Sequence, residues 1–450
     1  MSAVSLPSLS LAQRWMIIIM LMGYAALGHF NRVSISVAGA EVFIQDEAPA
    51  AKDGTPAAAA PAITETGKPR PTFAKVFTST QMGWVYTAFL VIYTASMMPG
   101  GWLIDRIGAG RSLTLLGLGM GFFVAMTGVL GWLMSSPHQF WIGLLVIRGL
   151  AGMCSAPLHP GAAHVVSDVA SLRGRTTANG LVTAGALLGI AFSYPLFGQL
   201  MDRVTWQWAF VVSGLTLVAY GVLWSRVVVP HLPGPHAGKL DQEEAQEASA
   251  GIPWRVIMRK DIWLVTLSYI AYSYFQYLFF YWMTFYFDKV LLVSPEQSRR
   301  AAFLIALAQG AGMVIGGMSN DVICRVMGVA AGRRAIMMVS MILSAILAMI
   351  AVSVKDYADV VLFMALAMGA QGMCEGVYWT TATEIGGKFR GFAGAFMNCG
   401  GNIGGFISPV VTPMLAENPA IGWRGAIAVA CVICALGGVI WIWIKPSKAP

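Results

Sequence analysis

Gly101-Trp102-Leu103-Ile104-Asp105-Arg106-Ile107-Gly108, closing at Arg111, follows one long apolar stretch and precedes another. Much further on, Gly317-Met318-Ser319-Asn320-Asp321, closing at Arg333 and Arg334, stands in the same relation to two more apolar stretches. In each copy a glycine lets neighbouring helices approach, and an aspartate sits at a membrane boundary. The basic residues that follow can pair with that aspartate or cap helix ends. The loop recurs after the second long segment of two successive groups of six, which points to a chain built from two related halves.

Composition agrees. The chain is 57% hydrophobic and 11% charged, with a mean hydropathy of +0.68, outside the balance of a soluble globular domain. Twelve segments of about 20 or more mostly apolar residues, the length that crosses roughly 30 Å of hydrocarbon as a helix, run approximately over residues 15–40, 82–104, 112–134, 139–166, 176–199, 207–229, 262–287, 301–324, 334–353, 359–384, 391–415 and 424–444. They are continuous runs without the short alternation of a membrane barrel, so the backbone is expected to satisfy itself as helix. The expected fold is an all-α membrane protein, twelve transmembrane helices in two pseudo-symmetric six-helix halves. The halves are placed at 1–229 and 262–450, with a cytoplasmic central loop at 230–261.

An even number of spans puts both termini on one side. Arg106, Arg111, Arg173, Arg175, Arg325, Arg333, Arg334, Lys388 and Arg390 lie in short loops on that side, which marks it as cytoplasmic and the protein as a multi-pass protein of the cell inner membrane. The net charge of +8 is thus mainly topological, and no soluble basic domain exists to bind nucleic acid. The central loop passes from Pro230, His231, Pro233, Pro235 and His236 through an acidic stretch to Trp254-Arg255-Val256-Ile257-Met258-Arg259-Lys260. That last piece suits the lipid interface. The loop at about 41–81, rich in alanine and proline, is expected to be disordered. All six cysteines lie in spans or at a cytoplasmic end, so no disulfide framework is implied. The start, with Arg14, an apolar run and Ala38-Gly39-Ala40, resembles a cleavable signal; its length favours an uncleaved first helix.

Three formal charges sit deep inside the apolar stretches: Arg32, Arg148 and Glu375. A charge at the bilayer centre costs about 2.5–3.5 kcal/mol on insertion scales, which makes each a functional-site candidate. Two cations against one anion suggest a site for a negatively charged solute. A guanidinium binds carboxylate bidentately and keeps its charge at physiological pH, so Arg32 is the expected anchor. Glu375 can carry a coupled proton or pair with an arginine. His29 is a second titratable candidate. The histidines form no metal motif, Cys431 and Cys434 are expected to pack, and no cofactor loop or nucleophile and base appears at usable spacing for an enzyme.

The duplicated loop resembles the signature motif of the major facilitator superfamily, along essentially the whole chain. The resemblance implies two six-helix halves rocking about a central site in alternating access. It also implies a cytoplasmic latch at Asp105, Arg106 and Arg111, and by symmetry at Asp321 and Arg334. Asn31-Arg32-Val33-Ser34, the run from Arg148 to Pro160, Gln81-Met82-Gly83-Trp84 with Tyr93, and Arg175 with Asn179-Gly180 are similar to the anion:cation symporter family. That family includes permeases for sugar acids. In it the first-span arginine is the anion ligand, and the fourth-span arginine supports the site through a neighbouring acid. Proton-coupled members commonly carry an aspartate before the first arginine and a glutamate after the second; this chain has Asn31 and Ser155 there.

Aromatic and amide residues complete the expected site. The seventh span carries Tyr269, Tyr272, Tyr274, Tyr277, Tyr281 and Trp282, and helical spacing puts Tyr274, Tyr277 and Tyr281 on one face. Phenols suit a polyhydroxylated or aromatic acid. Asn398 and Asn402 fall one turn apart in the eleventh span, where amides can bond substrate hydroxyls or neighbouring helices. The expected function is secondary transport of a small organic anion, coupled to protons. Arg32, Tyr93, Tyr274, Tyr277, Gln371, Asn398 and Asn402 would line the site, while Arg148, Glu375 and His29 tune charge or coupling. Proton-independent uniport or anion exchange is the alternative that the two missing carboxyls favour, and a transporter-like ligand sensor is a third.

Overall fold

The computed structural model describes residues 9–45, 72–170, 175–232, 254–386 and 390–445. Most of the loops expected at 41–81 and 230–261, together with Arg173 and Lys388, lie outside the described residues. Among those described, the chain is helical apart from turns and one isolated bridge between Ile44 and Phe77.

The twelve expected crossings are present, and polar caps mark where several begin. Ser10 and Gln13 form a capping box at the start of Leu11–Ala38, as do Thr78 and Gln81 before Ser79–Ala95, and Ser294 and Gln297 before Pro295–Met327. Four crossings are interrupted: the second at Ser96, the fourth between Ser155 and Leu158, the fifth by a wider turn at Ser193–Phe197, and the tenth between Gly372 and Glu375. Proline at 157 explains the fourth, since it cannot donate to the helix ladder. Nine helices among the described residues are long and apolar enough to cross a membrane by composition. The second is short of that by its break. Tyrosines in the seventh, Lys260–Phe285, and glycines and asparagines in the eleventh, Arg390–Ala416, make those two more polar.

The duplication is visible in the backbone. Gly108 and Gly328 join the second to the third span and the eighth to the ninth with almost the same left-handed geometry, φ 87° and ψ 151° against φ 81° and ψ 154°. A side chain is strained there, which explains glycine in both copies. The second copy carries more residues between Asp321 and Gly328 than the first between Asp105 and Gly108, lengthening the eighth helix by about a turn. The side chains of Asp105 and Asp321 lie outside what is described. Arg111 is exposed, and the Arg334 Nε donates to the Ile444 carbonyl at 2.8 Å. Arg333, one of the basic residues that close the second copy, is buried and pairs with Glu384 of the tenth span at 2.5 and 2.7 Å.

Close helix seams use glycines four residues apart, as are Gly185 and Gly189, and Gly312 and Gly316. A Cβ on Gly189 of the fifth span would stand 2.0 Å from the Ala26 carbonyl oxygen of the first, and one on Gly312 of the eighth 2.0 Å from that of Gly369 in the tenth. Backbones approach this closely only where a side chain is missing.

Between the halves, named contacts gather at the face opposite the chain ends. Glu417 accepts from Ser79 Oγ at 2.7 Å, the Thr80 amide at 2.9 Å and Thr80 Oγ1 at 2.8 Å. Tyr86 stacks on Tyr281 at 4.8 Å. Arg299, 5% exposed at the start of the eighth span, donates to Glu41 of the first at 2.7 and 2.6 Å. It also donates through both Nη atoms to Asp202 of the fifth, one contact being 2.9 Å. Gly198 makes room for it, since a Cβ there would meet the Arg299 Nε at 2.1 Å. Two further buried or part-buried ion clusters, at Arg299 and Arg333, thus lie near span ends, in addition to the three charges read from the sequence.

Two outcomes follow for stability. Removing one member of a buried ion pair costs about 3–5 kcal/mol, so Arg299→Ala should open this face; spin labels at Val204 and Leu292, both exposed there, should then move apart, and unchanged distances would refute the closure. Gly189→Leu should lower stability by about 1–3 kcal/mol through overpacking, measured as the thermal unfolding midpoint. Gly317→Ala, which meets nothing within 4 Å, should leave that midpoint unchanged.

Candidate functional site

A cavity of about 280 Å³ lies between the halves, bounded by the first, second, fourth, fifth, seventh, eighth, tenth and eleventh spans. Its polar lining includes His29, Arg32, Tyr93, Tyr277, Glu375, Asn398 and Asn402, seven residues singled out by sequence that the fold brings together.

Arg32 is held by aromatics. Its Nη2 donates to the Tyr277 hydroxyl at 2.5 Å, and its guanidinium lies 5.4 Å from the Phe89 centroid, 5.5 Å from Tyr93 and 5.4 Å from Tyr277. Ring faces attract a cation without neutralising it. Among the described residues no carboxylate lies within ion-pairing distance of Arg32. A guanidinium so arranged retains N–H donors for an incoming anion.

Arg148 takes a supporting position. It is 1% exposed, its Nη2 donates to the Arg32 backbone carbonyl at 2.8 Å, and its guanidinium lies 4.8 Å from the same Phe89 ring. Phe89 is therefore shared by two cations, and the Arg148 Nε has no hydrogen-bond partner among the described residues. The acid that the resemblance places beside this arginine is replaced by a carbonyl and a ring. Asn31 turns its amide to the Leu27 carbonyl at 2.9 Å on its own helix, and neither Asn31 nor Ser155 lines the cavity.

Glu375 begins the second segment of the broken tenth span, where unpaired amides at a helix start favour negative charge. Its Oε1 accepts from Tyr269 at 3.0 Å and from Trp379 Nε1 at 2.8 Å. Oε2 is buried without a hydrogen-bond partner among the described residues, an arrangement with capacity for a proton or a ligand donor. His29 places Nδ1 3.0 Å from the Ala25 carbonyl, which makes Nδ1 the protonated nitrogen and Nε2 the acceptor. Its ring meets that of His159 edge-on at 5.3 Å.

Two expected lining residues stand elsewhere. Gln371 is buried, donates to the Tyr272 carbonyl at 2.8 Å and accepts from Gln309 at 3.3 Å; it ties the seventh, eighth and tenth spans together. Tyr274 is buried but does not line the cavity, and its backbone amide lies beside Gly404 of the eleventh span. At 100° per residue it lies at the edge of the face shared by Tyr277, Phe280 and Tyr281. Phe89, Gln276, Phe280, Tyr281 and Trp379 were not selected from the sequence. Phe89 falls one turn before Tyr93, and Gln276 is an amide inside an aromatic run; these patterns were the available signals.

The model of the Major Facilitator Superfamily matches residues 8–331 and 301–450. The chain is 25% identical to a probable sulfoacetate transporter of Cupriavidus necator, covering 82% of this chain and 86% of that one. It is 23% identical to a D-galactonate transporter of Escherichia coli over 81% and 86%. In fold it is similar to the crystal structure of a D-xylose-proton symporter, with a TM-score of 0.74 at 14% identity over 96% of this chain and 98% of that one. The sequence therefore folds as the two-half helical bundle that its duplicated loop predicts, and the chain belongs to the major facilitator superfamily.

Proposed function

We propose that this protein is a secondary transporter that moves a small organic anion by alternating access, with Arg32 as the carboxylate anchor and Glu375 as the site of a coupled proton. The observation that carries this reading is an uncompensated guanidinium between two halves of a membrane transporter fold. The names of the relatives, sulfoacetate and D-galactonate transporters, agree with an anionic substrate.

Coupling follows from the charges. An anion arriving near Glu375 repels its charged form, so substrate and proton bind together. With Asn31 and Ser155 in place of acids, Glu375 is the cavity's carboxyl. Tyr93, Tyr277, Asn398 and Asn402 orient the substrate, Arg148 holds the Arg32 backbone, and His29 tunes the local field. Asp105, Arg106, Arg111, Asp321 and Arg334 close the face that carries the termini when the opposite face opens. That face is cytoplasmic in this reading, and the membrane is the cell inner membrane. Proton-independent uniport or exchange is the second reading, supported by Asn31 and Ser155.

Arg32→Ala should weaken binding of D-galactonate or sulfoacetate by about 10- to 100-fold, the loss of a charge-assisted hydrogen-bonded contact, measured by calorimetry; unchanged affinity for every acid tested would defeat the anchor. Glu375→Gln in proteoliposomes should abolish substrate-driven proton uptake while counterflow of substrate continues. Proton uptake equal to that of the parent protein would remove Glu375 from coupling, and its absence in the parent would favour the uniport reading.

A further inference from the structure

The central cavity has two unlike sides. Its amides Asn398 and Asn402 come from the eleventh span, which packs on the second and seventh. On the other side, between the fifth and eighth spans, a groove of about 760 Å³ opens from the cavity and shares Thr183, Leu187, Met313, Glu375 and Trp379 with it. Its remaining walls include Ala184, Leu188, Ala306, Leu307 and Val314. Leu188, Leu307 and Val314 are 38, 43 and 65% exposed, so the groove reaches the lipid-facing surface. Gly180 and Gly376 leave it wide: a Cβ on either meets nothing within 4 Å.

Such walls discriminate between substrates. A hydroxyl set against leucine and alanine exchanges water for no partner and weakens binding. A methylene there leaves water for an apolar surface and strengthens it. We propose that the substrate is an amphiphilic carboxylate, whose head lies on Arg32 and whose extended apolar chain enters the groove between the fifth and eighth spans. This rests on the reading of Arg32 as the anchor. The groove's continuity with the cavity at Leu187, Met313 and Trp379 makes the chain of the bound acid its occupant.

Calorimetry in lipid nanodiscs, with empty nanodiscs subtracted, tests this with butanoate, hexanoate, octanoate and decanoate beside D-galactonate. Affinity should rise about fourfold per methylene for as long as each is buried, and octanoate should outbind D-galactonate. Gly180→Leu fills open space within a helix and should flatten the rise for the longer acids while leaving butanoate unchanged; Leu307→Gln should weaken decanoate most. A series flat in chain length, with D-galactonate binding through Arg32, overturns the proposal, leaves the groove to bilayer lipid and keeps the anchor. A rise that persists equally in Gly180→Leu and Leu307→Gln also overturns it. Equal affinity of Arg32→Ala and the parent for all five acids would instead overturn the anchor itself.

Discussion

A guanidinium placed in the middle of a membrane bundle with rings in place of a counter-ion constrains everything around it. Arg32 must be kept from lipid, so it faces the seam between halves, and it must be partly solvated, so Phe89, Tyr93 and Tyr277 offer their faces and a hydroxyl. These contacts lower the cost of burial without supplying a negative charge. The second arginine adds to the demand. Arg148 shares Phe89 and holds the Arg32 carbonyl, so both cations lean on one aromatic ring from the second span.

The halves meet that demand with different tools. Within each half, helices close on glycine and interdigitate tightly, as where Gly189 meets Ala26. Between halves, a glycine seam at Gly83, where a Cβ would stand 2.1 Å from the Pro409 carbonyl oxygen, is joined by ionic and hydroxyl contacts such as Glu417 with Thr80 and Arg299 with Glu41. Apolar seams in lipid separate with difficulty once packed, whereas charges can exchange a partner for water when a face opens. The distribution suits two rigid bodies that part and rejoin.

How far the sequence could be read depended on the kind of signal. The twelve crossings, the duplicated loop and the family were legible because hydrophobic length and a repeated motif are local properties. Arg32, Glu375, Asn398 and Asn402 were legible because polar groups in apolar runs are costly and few. Tyr274 and Gln371 were misplaced because residue type does not say which way a side chain turns, and Gln371 is spent on the Tyr272 carbonyl. Phe89 was missed because a phenylalanine in a span is ordinary until two guanidinium groups are found against its ring. Arg299 was missed because its partners, Glu41 and Asp202, come from the other half, far away along the chain.

The bare Gly198 and the long Arg299 form one unit of shape. The arginine occupies the volume that any side chain at position 198 would need, with 2.1 Å between its Nε and a Cβ built there. A side chain at position 198 must therefore either displace the arginine or await a shorter residue at 299, and both routes disturb the contacts to Glu41 and Asp202. The two positions, on spans far apart in sequence, are thereby coupled through one shared volume.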